Sequence, residues 1–483
     1  MRLVSQRKGM VITVEKLEKR FKIRERGSTV RTEITAGLTT FMAMAYILMV
    51  NAGMFADLGT VSYGAVYIAT AISAIIGTVL IGLLSNLPMA QAAGMGINAF
   101  LVYTVCFKLG FTYANALICV LMDGVVFIIL SATGLRRLIL DSIPHEVKSA
   151  IGAGIGLFIA FIGLQNAGIV IADPSTKVSL ASFNILSGTT TWADIMPMLV
   201  TIIGLFSIGT MAKCKVRSAV LLGIIGSSVL YYIMGLLTIP GFYASAIAPN
   251  LTGDFFAAFR DFGAQAFGKV FTEGLDFSAF IAANGIGALI VTFLTTMLAF
   301  LMLDMFCTVG TLYGACAAGN MLDKDGNVPN VDGAMMADAC ATVIGAICGT
   351  STVTTYVESS AGIGEGGRTG LTSLVTAALF FIAMFLAPVA QLIPTYATAT
   401  ALIYVGVLMM SGVKDIDWSD PSEAIVAFLT MAIMPLTYNI SYGIAIGILA
   451  YVFIKIFSGR AKEVNVGCWV MGMLFLLMFF LSN

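Results

Sequence analysis

Five polar side chains of this chain lie inside long apolar stretches, where such residues are rare. They are Asn98, Asp123, Asp304, Asp338 and Glu358. An ionisable residue within a membrane-spanning segment faces protein or a water-filled cavity and is a functional candidate by default. A carboxylate accepts hydrogen bonds from N–H groups of a ligand, and a protonated carboxyl also donates one. The available chemistry is therefore the binding of a polar, planar molecule and the loading and release of a proton.

Asp304 and Glu358 are the strongest candidates. Asp304 lies in the stretch LMLDMFCTVGTLYG, where Thr308 and Thr311 follow at i+4 and i+7, so that the three share one helix face. Glu358 follows residues 350–357, whose composition favours extended structure. We predict that both carboxyls bind substrate and carry protons. The alternative is that either acid is a paired structural group.

Each of the other three residues could have either a functional or a structural role. Asn98 is the polar counterpart of these acids in the first half of the chain, and its amide offers donors and an acceptor to a ligand. It could equally tie down irregular backbone. For Asp338 we favour a structural role, and Asp123 is open between pairing and function.

Other chemistries are disfavoured by the same sequence. His145 is the single histidine and the eight cysteines form no C-x-x-C pair, which argues against zinc, haem and a Ser-His-Asp set. The string 362–369 resembles a phosphate-binding loop, but Arg368 replaces its lysine and apolar segments flank it. We expect no metal, no cofactor and no enzymatic activity. A membrane hydrolase using Asp304 and Glu358 is the remaining enzymatic alternative.

The elements that must position these residues are membrane-spanning helices. Of the 483 residues, 59% are hydrophobic and 11% are charged, against roughly 25% charged in a soluble domain, and the mean hydropathy is +0.96. At about 20 residues a span, this apolar content supplies about 14 helices. The continuous apolar runs exclude a soluble enzyme, a disordered chain, a secreted disulfide scaffold and a transmembrane barrel. We predict an all-α polytopic protein of the inner membrane, embedded in the lipid bilayer.

The predicted spans form two sets of seven, separated by a polar connector. They are 34–56, 62–84, 88–107, 112–132, 147–169, 193–212 and 217–237, then 286–310, 333–350, 352–368, 370–389, 394–412, 422–437 and 440–457. The predicted domains are a basic tail at 1–33, a first repeat at 34–237, the connector at 238–285, a second repeat at 286–457 and a C-terminal segment at 458–483. In that last segment, the apolar run 467–482 is short for a span.

Basic residues predict the orientation. Residues 1–33 hold ten of the 26 lysines and arginines, which indicates a cytoplasmic tail rather than a nucleic-acid patch, and they contain no apolar run of a signal peptide. With the N-terminus inside, all but Lys108, Lys177, Arg260 and Lys269 lie on the inner side. The positive-inside rule therefore favours a cytoplasmic N-terminus and an even number of spans.

The two sets of seven show weak self-similarity. The string GLTTFMAMAYILMVNAGM opens the first span, and its Leu-Thr-Thr recurs 256 residues later in FLTTMLAFLMLDMFCTVG of the eighth. Because seven is odd, the second set would be inverted relative to the first, which is typical of secondary transporters. The third span, with its Gly94-Met95-Gly96 run, and the tenth, with its extended piece, are both interrupted. Interrupted segments at matching positions point to a transporter's binding site. The alternative for the Leu-Thr-Thr match is chance.

Five longer strings resemble a known family. MAYILMVN, GMGINAF, DMFCTVGTLYG, DGAMMADACATVIGAICGTSTVTTYVESSAGIGEGGRTG and MPLTYNISYGIAIG resemble the AzgA-like purine permease branch of the nucleobase–cation symporter-2 superfamily, across about residues 30–465. The resemblance implies fourteen spans in a seven-plus-seven inverted repeat, with a core domain, a moving gate domain, and short strands in the third and tenth spans that meet at the site.

The same resemblance implies proton symport of adenine, guanine or hypoxanthine. It assigns Asp304, Glu358, Asn98 and the backbone around Tyr356 and Val357 to the substrate site, and we predict that Thr354 belongs to this site as well. It also implies a homodimer, and we expect no nucleic-acid partner. One position departs from the family pattern, because DMFCT carries Cys307 where the family has a second acid. This departure leaves the coupling ion and the choice among purines open.

Two kinds of alternative remain. The same architecture could carry another nucleobase or a small anion, although the carboxylate of Glu358 argues against an anion. An uncoupled facilitator or a channel is the other alternative, and it would show movement without coupling or without saturation.

Overall fold

The computed structural model describes residues 18–133, 144–187, 190–216, 218–244, 254, 256–324 and 327–481. Within these ranges, ten helices are long and apolar enough to cross a membrane, and further apolar helices are shorter. Residues 1–17 of the predicted tail and residues 245–253 of the predicted connector lie outside the described residues.

The first half contains seven spans in the predicted order. Their bounds are Val30–Met44 with Ile47–Ala56, Tyr63–Leu84, strand β1 (Gln91–Ala93) with Met95–Ala99 and the π-helix Phe100–Lys108, Tyr113–Thr133, His145–Asn166, Trp192–Lys213 and Ala219–Thr238. A hairpin of strands β2 (Val170–Asp173) and β3 (Lys177–Leu180) follows the fifth span.

The second half repeats this order. Its spans are Ser278–Ala318, Val331–Cys348, strand β4 (Val353–Thr355) with Ser359–Gly364, Gly370–Met384 with Ala387–Ala390, Thr395–Met409, Pro421–Thr437 and Ile440–Phe457. The eighth span bends at Gly285, whose φ of +83° suits glycine. The run predicted at 467–482 forms a helix, Val466–Leu481. The predicted fold class is confirmed, including the interruption of the third and tenth spans by short strands.

The strand pair itself shows the inverted repeat. β1 and β4 pair antiparallel, with Ala92 opposite Thr354. On the outer edge of β1, the Thr78 hydroxyl of the second span is 3.0 Å from both Gln91 N and Gln91 O. On the outer edge of β4, the Thr342 hydroxyl of the ninth span lies 3.3 Å from both Val353 N and Val353 O. Corresponding spans of the two halves therefore support their strands in the same way.

The helices pack into two groups that match the predicted core and gate domains. In the core, the second span packs on the ninth and eleventh, and the fourth packs on the ninth. In the gate, the fifth span packs on the twelfth and thirteenth, and the sixth on the seventh and twelfth. The connector contains the short helices Ala257–Asp261 and Lys269–Thr272, and Asp261 accepts a hydrogen bond from Ser62 (2.8 Å) at the start of the second span.

Glycines set the closest helix contacts within each group. In the gate, a Cβ on Gly156 would lie 2.7 Å from Gly406 O, and in the core a Cβ on Gly370 would lie 2.0 Å from Gly82 O. In a membrane, small residues let backbones approach and so supply the dispersion contacts that hold helices together. The fifth and twelfth spans, and the second and eleventh, are joined in this way.

We expect Gly156→Ala to lower the thermal stability of the protein, because the added methyl group forces the fifth and twelfth spans apart. Overpacking of this kind costs about 1–3 kcal/mol. Gly152→Ala is the matched control, since it lies one turn earlier in the same helix with nothing within 4 Å of its Cβ position. Thermal unfolding in detergent would compare the two variants with wild type. Equal melting temperatures for both variants would contradict this account of the gate contact.

Candidate functional site

The interrupted third and tenth spans meet at the β1–β4 pair, in the interior of the core domain. All six residues of the two strands are buried. The pair extends by one hydrogen bond at each end, from Gly94 N to Thr352 O and from Tyr356 N to Ala90 O, both 3.0 Å. Each strand then leads into a half-helix, so that residues 356–358 form the turn between β4 and the half-helix Ser359–Gly364.

The outer edge of β4 has hydroxyl groups as partners instead of another strand. Val353 N donates to Thr342 Oγ1 at 3.3 Å, and Thr355 N donates to Thr308 Oγ1 at 3.2 Å. A buried backbone N–H without a partner costs roughly 1–3 kcal/mol. The eighth and ninth spans therefore make an interrupted tenth span tolerable inside the membrane.

Three carboxyls accept hydrogen bonds from threonine hydroxyls around β4. We call Asp123, Asp304 and Asp338 the acid cluster; they come from the fourth, eighth and ninth spans, and each is 0% exposed. Thr342 donates to Asp304 Oδ2 at 3.0 Å, and Thr308 donates to Asp338 Oδ1 at 2.8 Å.

Two further polar groups join the acid cluster to the strands. Gln91 of β1 donates through Nε2 to Asp338 Oδ1 (2.8 Å) and to Thr355 Oγ1 (3.1 Å). Thr352, just before β4, donates to Asp123 Oδ2 at 3.4 Å. The sequence interpretation of Asp338 as structural did not place it beside Asp304, because the two residues belong to different spans.

Glu358 lies apart from the acid cluster, after the end of β4. Its Oε1 accepts a hydrogen bond of 2.6 Å from the Tyr46 hydroxyl, which lies at the break in the first span. Glu358 is partly exposed, and the neighbouring Val357 side chain is 53% exposed. The Val357 N–H finds no acceptor among the described residues. This turn thus presents a free donor beside a carboxylate whose position is fixed by a tyrosine.

The other predicted site residues are buried in the strand region. Asn98 is 0% exposed, accepts a hydrogen bond from Ser351, and donates to Ala93 O at 3.4 Å, so it links the two interrupted spans. Tyr356 donates to Ala93 O at 2.5 Å, and Thr354 lies within β4 at 3% exposure. Asp304 and Glu358 share no hydrogen bond, and Asp304 is connected to β4 through the hydroxyl of Thr342.

Three residues that hold the candidate site together were not identified from the sequence. Tyr46, Gln91 and Thr342 all belong to strings that looked apolar or small, and only their polar type within such strings could have singled them out. Gln91 is hydrogen bonded to Asp338, which is 247 residues away along the chain, and Tyr46 to Glu358, which is 312 residues away. Spacing within one helix cannot reveal partners at that separation.

A separate cavity of about 640 Å³ lies between the core and gate groups, at the end of the first span. Its lining includes Asp57, Gln391 and four tyrosines, and none of the predicted site residues. Burial raises the pKa of Asp57, partly opposed by a 2.6 Å hydrogen bond from Tyr103. We assign the site to the strand pair instead of this cavity, because the buried carboxyls and the free backbone donor lie there.

Comparison with known proteins identifies the family. The profile of a permease family matches residues 31–446. The chain belongs to this permease family. The resemblance to nucleobase–cation symporters stated from the sequence is thereby confirmed.

Two relatives and one solved structure give the range of similarity. A guanine/hypoxanthine permease of Bacillus subtilis is 38% identical over 467 residues, covering 95% of this chain and 98% of the relative. An adenine permease of Escherichia coli is 33% identical over 461 residues, covering 95% of each chain. The transmembrane domain of a cyanobacterial bicarbonate transporter superposes with a TM-score of 0.58 at 14% identity, covering 86% of this chain and 97% of that domain. The permease is therefore a multi-pass membrane protein with the seven-plus-seven fold.

We expect Thr308→Val to destabilise the permease, because it leaves Thr355 N without an acceptor and removes one of the two hydrogen bonds that Asp338 Oδ1 accepts. The loss should be about 1–3 kcal/mol, the range for a buried polar group that loses its hydrogen-bond partner. Thr311→Val is the matched control, one turn further along the same helix and only partly buried. Thermal unfolding of the two variants tests this, and a drop no larger for Thr308→Val than for Thr311→Val would contradict the role of the hydroxyl.

Proposed function

We propose that this permease is a secondary active transporter that imports purine nucleobases, namely adenine, guanine or hypoxanthine, by proton symport. The observation that carries the proposal is the partly exposed turn at Val357 and Glu358, where a free N–H lies beside a fixed carboxylate. The names of the relatives, guanine/hypoxanthine and adenine permeases, support the choice of substrate class.

The turn matches the hydrogen-bonding edge of a purine. A carboxylate accepts N–H hydrogen bonds, and a backbone N–H donates to a ring nitrogen or a carbonyl oxygen. Guanine and hypoxanthine carry a ring N–H beside a carbonyl oxygen, and adenine carries an amino group beside a ring nitrogen. Each of these bases can therefore bond Glu358 and Val357 N–H together.

The remaining predicted residues have supporting positions in this proposal. Asp304, Asn98 and Tyr356 support the strand pair that presents the turn, through contacts to Thr342, Ser351 and Ala93, and Thr354 is part of β4 itself. Tyr46 holds the Glu358 carboxylate in place. Asp304 and Glu358 are the proposed proton carriers, since each is a carboxyl inside the core domain.

Orientation and assembly belong to the same proposal. A cytoplasmic N-terminus follows from the distribution of basic residues, all but four of which fall on one side. The end of the first span then faces outward, as does the cavity beside Asp57. A homodimer stays a prediction from the family resemblance.

The test is uptake of radiolabelled adenine, guanine, hypoxanthine and uracil in cells that lack their own nucleobase permeases, with and without an uncoupler. We expect saturable uptake of at least one purine, which the uncoupler abolishes. Glu358→Gln should remove uptake, because the amide cannot replace the carboxylate as a double acceptor or as a proton carrier. Glu25→Gln is the control, since Glu25 is an exposed carboxyl next to the membrane domain.

Each outcome of this test bears on a different part of the proposal. No uptake of any base, with the protein confirmed in the membrane, would refute the substrate class. Purine uptake that ignores the uncoupler would refute proton symport and favour an uncoupled facilitator. Full activity of Glu358→Gln would remove Glu358 from the site.

Tyr46→Phe should weaken purine affinity about five- to tenfold, because one net hydrogen bond that fixes Glu358 is worth about 1–1.5 kcal/mol. Tyr63→Phe is the control: its hydroxyl donates to Ala390 O at 3.0 Å, away from the strand pair. The concentration of purine for half-maximal uptake measures the effect. An equal change in both variants would show that the Tyr46 hydroxyl does not position Glu358.

A further inference from the structure

The acid cluster contains more carboxyl oxygens than the surrounding protein satisfies. Asp123 Oδ1, Asp304 Oδ1 and Asp338 Oδ2 are fully buried and have no hydrogen-bond donor. The buried amide of Gln91 is directed into the cluster through Nε2, and its own Oε1 also lacks a partner. Such groups are rare in folded proteins and call for a chemical explanation.

Electrostatics excludes a cluster of three fixed negative charges. The groups that act on these carboxyls are other acids of the cluster, neutral hydroxyls and the Gln91 amide, and no lysine, arginine or histidine of the described residues pairs with them. Several like charges cannot be held together in a buried, cation-free site, so some of the carboxyls carry protons.

The interaction between two of the acids indicates where a proton lies. Asp304 and Asp338 act on each other, and each has one buried oxygen, Asp304 Oδ1 and Asp338 Oδ2, without a hydrogen-bond donor. Two carboxylates cannot bond, but a carboxyl and a carboxylate that share one proton can, as in the paired acids of aspartic proteases. One proton shared between Asp304 and Asp338 gives both of these oxygens a partner.

The hydroxyl of Thr342 connects the protonation state to β4. It has one hydrogen and two acceptors, Asp304 Oδ2 at 3.0 Å and Val353 O at 3.3 Å. An ionised carboxylate is the stronger acceptor and takes the hydrogen. When Asp304 is protonated, the Thr342 hydroxyl can turn its hydrogen to Val353 O. Thr342 is then hydrogen bonded to both Val353 N and Val353 O.

We propose that Asp123, Asp304 and Asp338 together hold the coupling proton, and that Thr342 and Thr308 transmit its presence to β4 and so to the turn at Val357 and Glu358. This inference rests on the proposed proton symport and extends it from single acids to a shared site. The proton binds from one side of the membrane with the base and leaves to the other side; no covalent bond forms or breaks apart from carboxyl O–H.

Other titratable groups interact with the acid cluster but do not hold the proposed proton. Cys119 of the fourth span interacts with Asp123, and Cys307 of the eighth interacts with Asp338 and with Tyr356. The carboxyl that the family places at 307 is thus absent, while Asp338 brings a carboxyl to the same neighbourhood. Glu358 interacts with Tyr46 and Tyr356, and not with the three aspartates.

The first experiment compares wild type, Asp123→Asn and Asp338→Asn in proteoliposomes that contain a pH-sensitive dye. Labelled hypoxanthine, guanine and adenine serve as probes, with an inside-alkaline gradient of about one pH unit, which drives about tenfold accumulation for one proton per base. In both variants we expect accumulation to fall to the external concentration and the substrate-induced internal acidification to disappear. Exchange of labelled for unlabelled base should persist within roughly twofold, because the turn at Glu358 is intact.

Asp57→Asn is the control for removing a carboxyl outside the cluster, and it should keep accumulation. Thr342→Val and Thr342→Ser form a second matched pair, since only serine keeps the hydroxyl. We expect Thr342→Val to lose the pH dependence of purine affinity and Thr342→Ser to retain it. This pair tests the hydroxyl link even if an aspartate variant does not fold.

A measurement on purified protein separates this inference from the proposed function. Infrared spectra recorded at a series of pH values, from acidic to alkaline, detect protonated carboxyls directly and need no substrate. Wild type should show a titrating buried carboxyl band that weakens in Asp123→Asn and Asp338→Asn. If wild type moves no purine, the proposed function fails, and the infrared result still decides the cluster.

Three results would overturn the inference. The first is full pH-driven accumulation in both asparagine variants, which would make the cluster purely structural. The second is a carboxyl band that does not titrate, or that both variants leave unchanged. The third is accumulation that follows a sodium gradient instead of the pH gradient.

Discussion

The structure depends on one constraint, which is that backbone polar groups inside a bilayer need partners within the protein. Two spans of this permease are interrupted by β1 and β4, so their N–H and C=O groups are not satisfied by a helix. The strands satisfy one edge of each other, and threonine hydroxyls of the second, eighth and ninth spans satisfy the outer edges. Those hydroxyls in turn need acceptors, and the carboxyls of Asp304 and Asp338 supply them.

These hydrogen-bonding requirements distinguish two kinds of acidic residue. The acid cluster lies behind β4 and is completely buried, whereas Glu358 lies on the turn after β4 and is partly exposed. The cluster therefore acts on the strand, and the turn is the part that can meet a ligand. Gly96 also brings the half-helix of the third span against the gate, since a Cβ there would lie 2.4 Å from Ile155 of the fifth span. The half-helix that follows β1 is therefore in direct contact with the gate.

Other proteins with this fold transport different substrates. A bicarbonate transporter shares the fold at only 14% identity, so the fold alone does not choose a substrate. What distinguishes this permease is the local chemistry of residues 352–358 and their supports. A carboxylate in the turn suits a neutral ligand with N–H groups and is unfavourable for a small anion.

The sequence by itself determined the membrane class, the fourteen spans and the two interrupted segments, because hydropathy and glycine runs are local signals. It also singled out Asp304 and Glu358 as candidates, because an acid inside an apolar stretch is a local signal too. It did not determine which polar groups meet. Gln91 and Asp338 are 247 residues apart and Tyr46 and Glu358 are 312 apart, yet each pair is hydrogen bonded. Only the tertiary structure could place Asp123, Asp304 and Asp338 in one cluster and Glu358 outside it, since their neighbourhood arises from the packing of four spans across the inverted repeat.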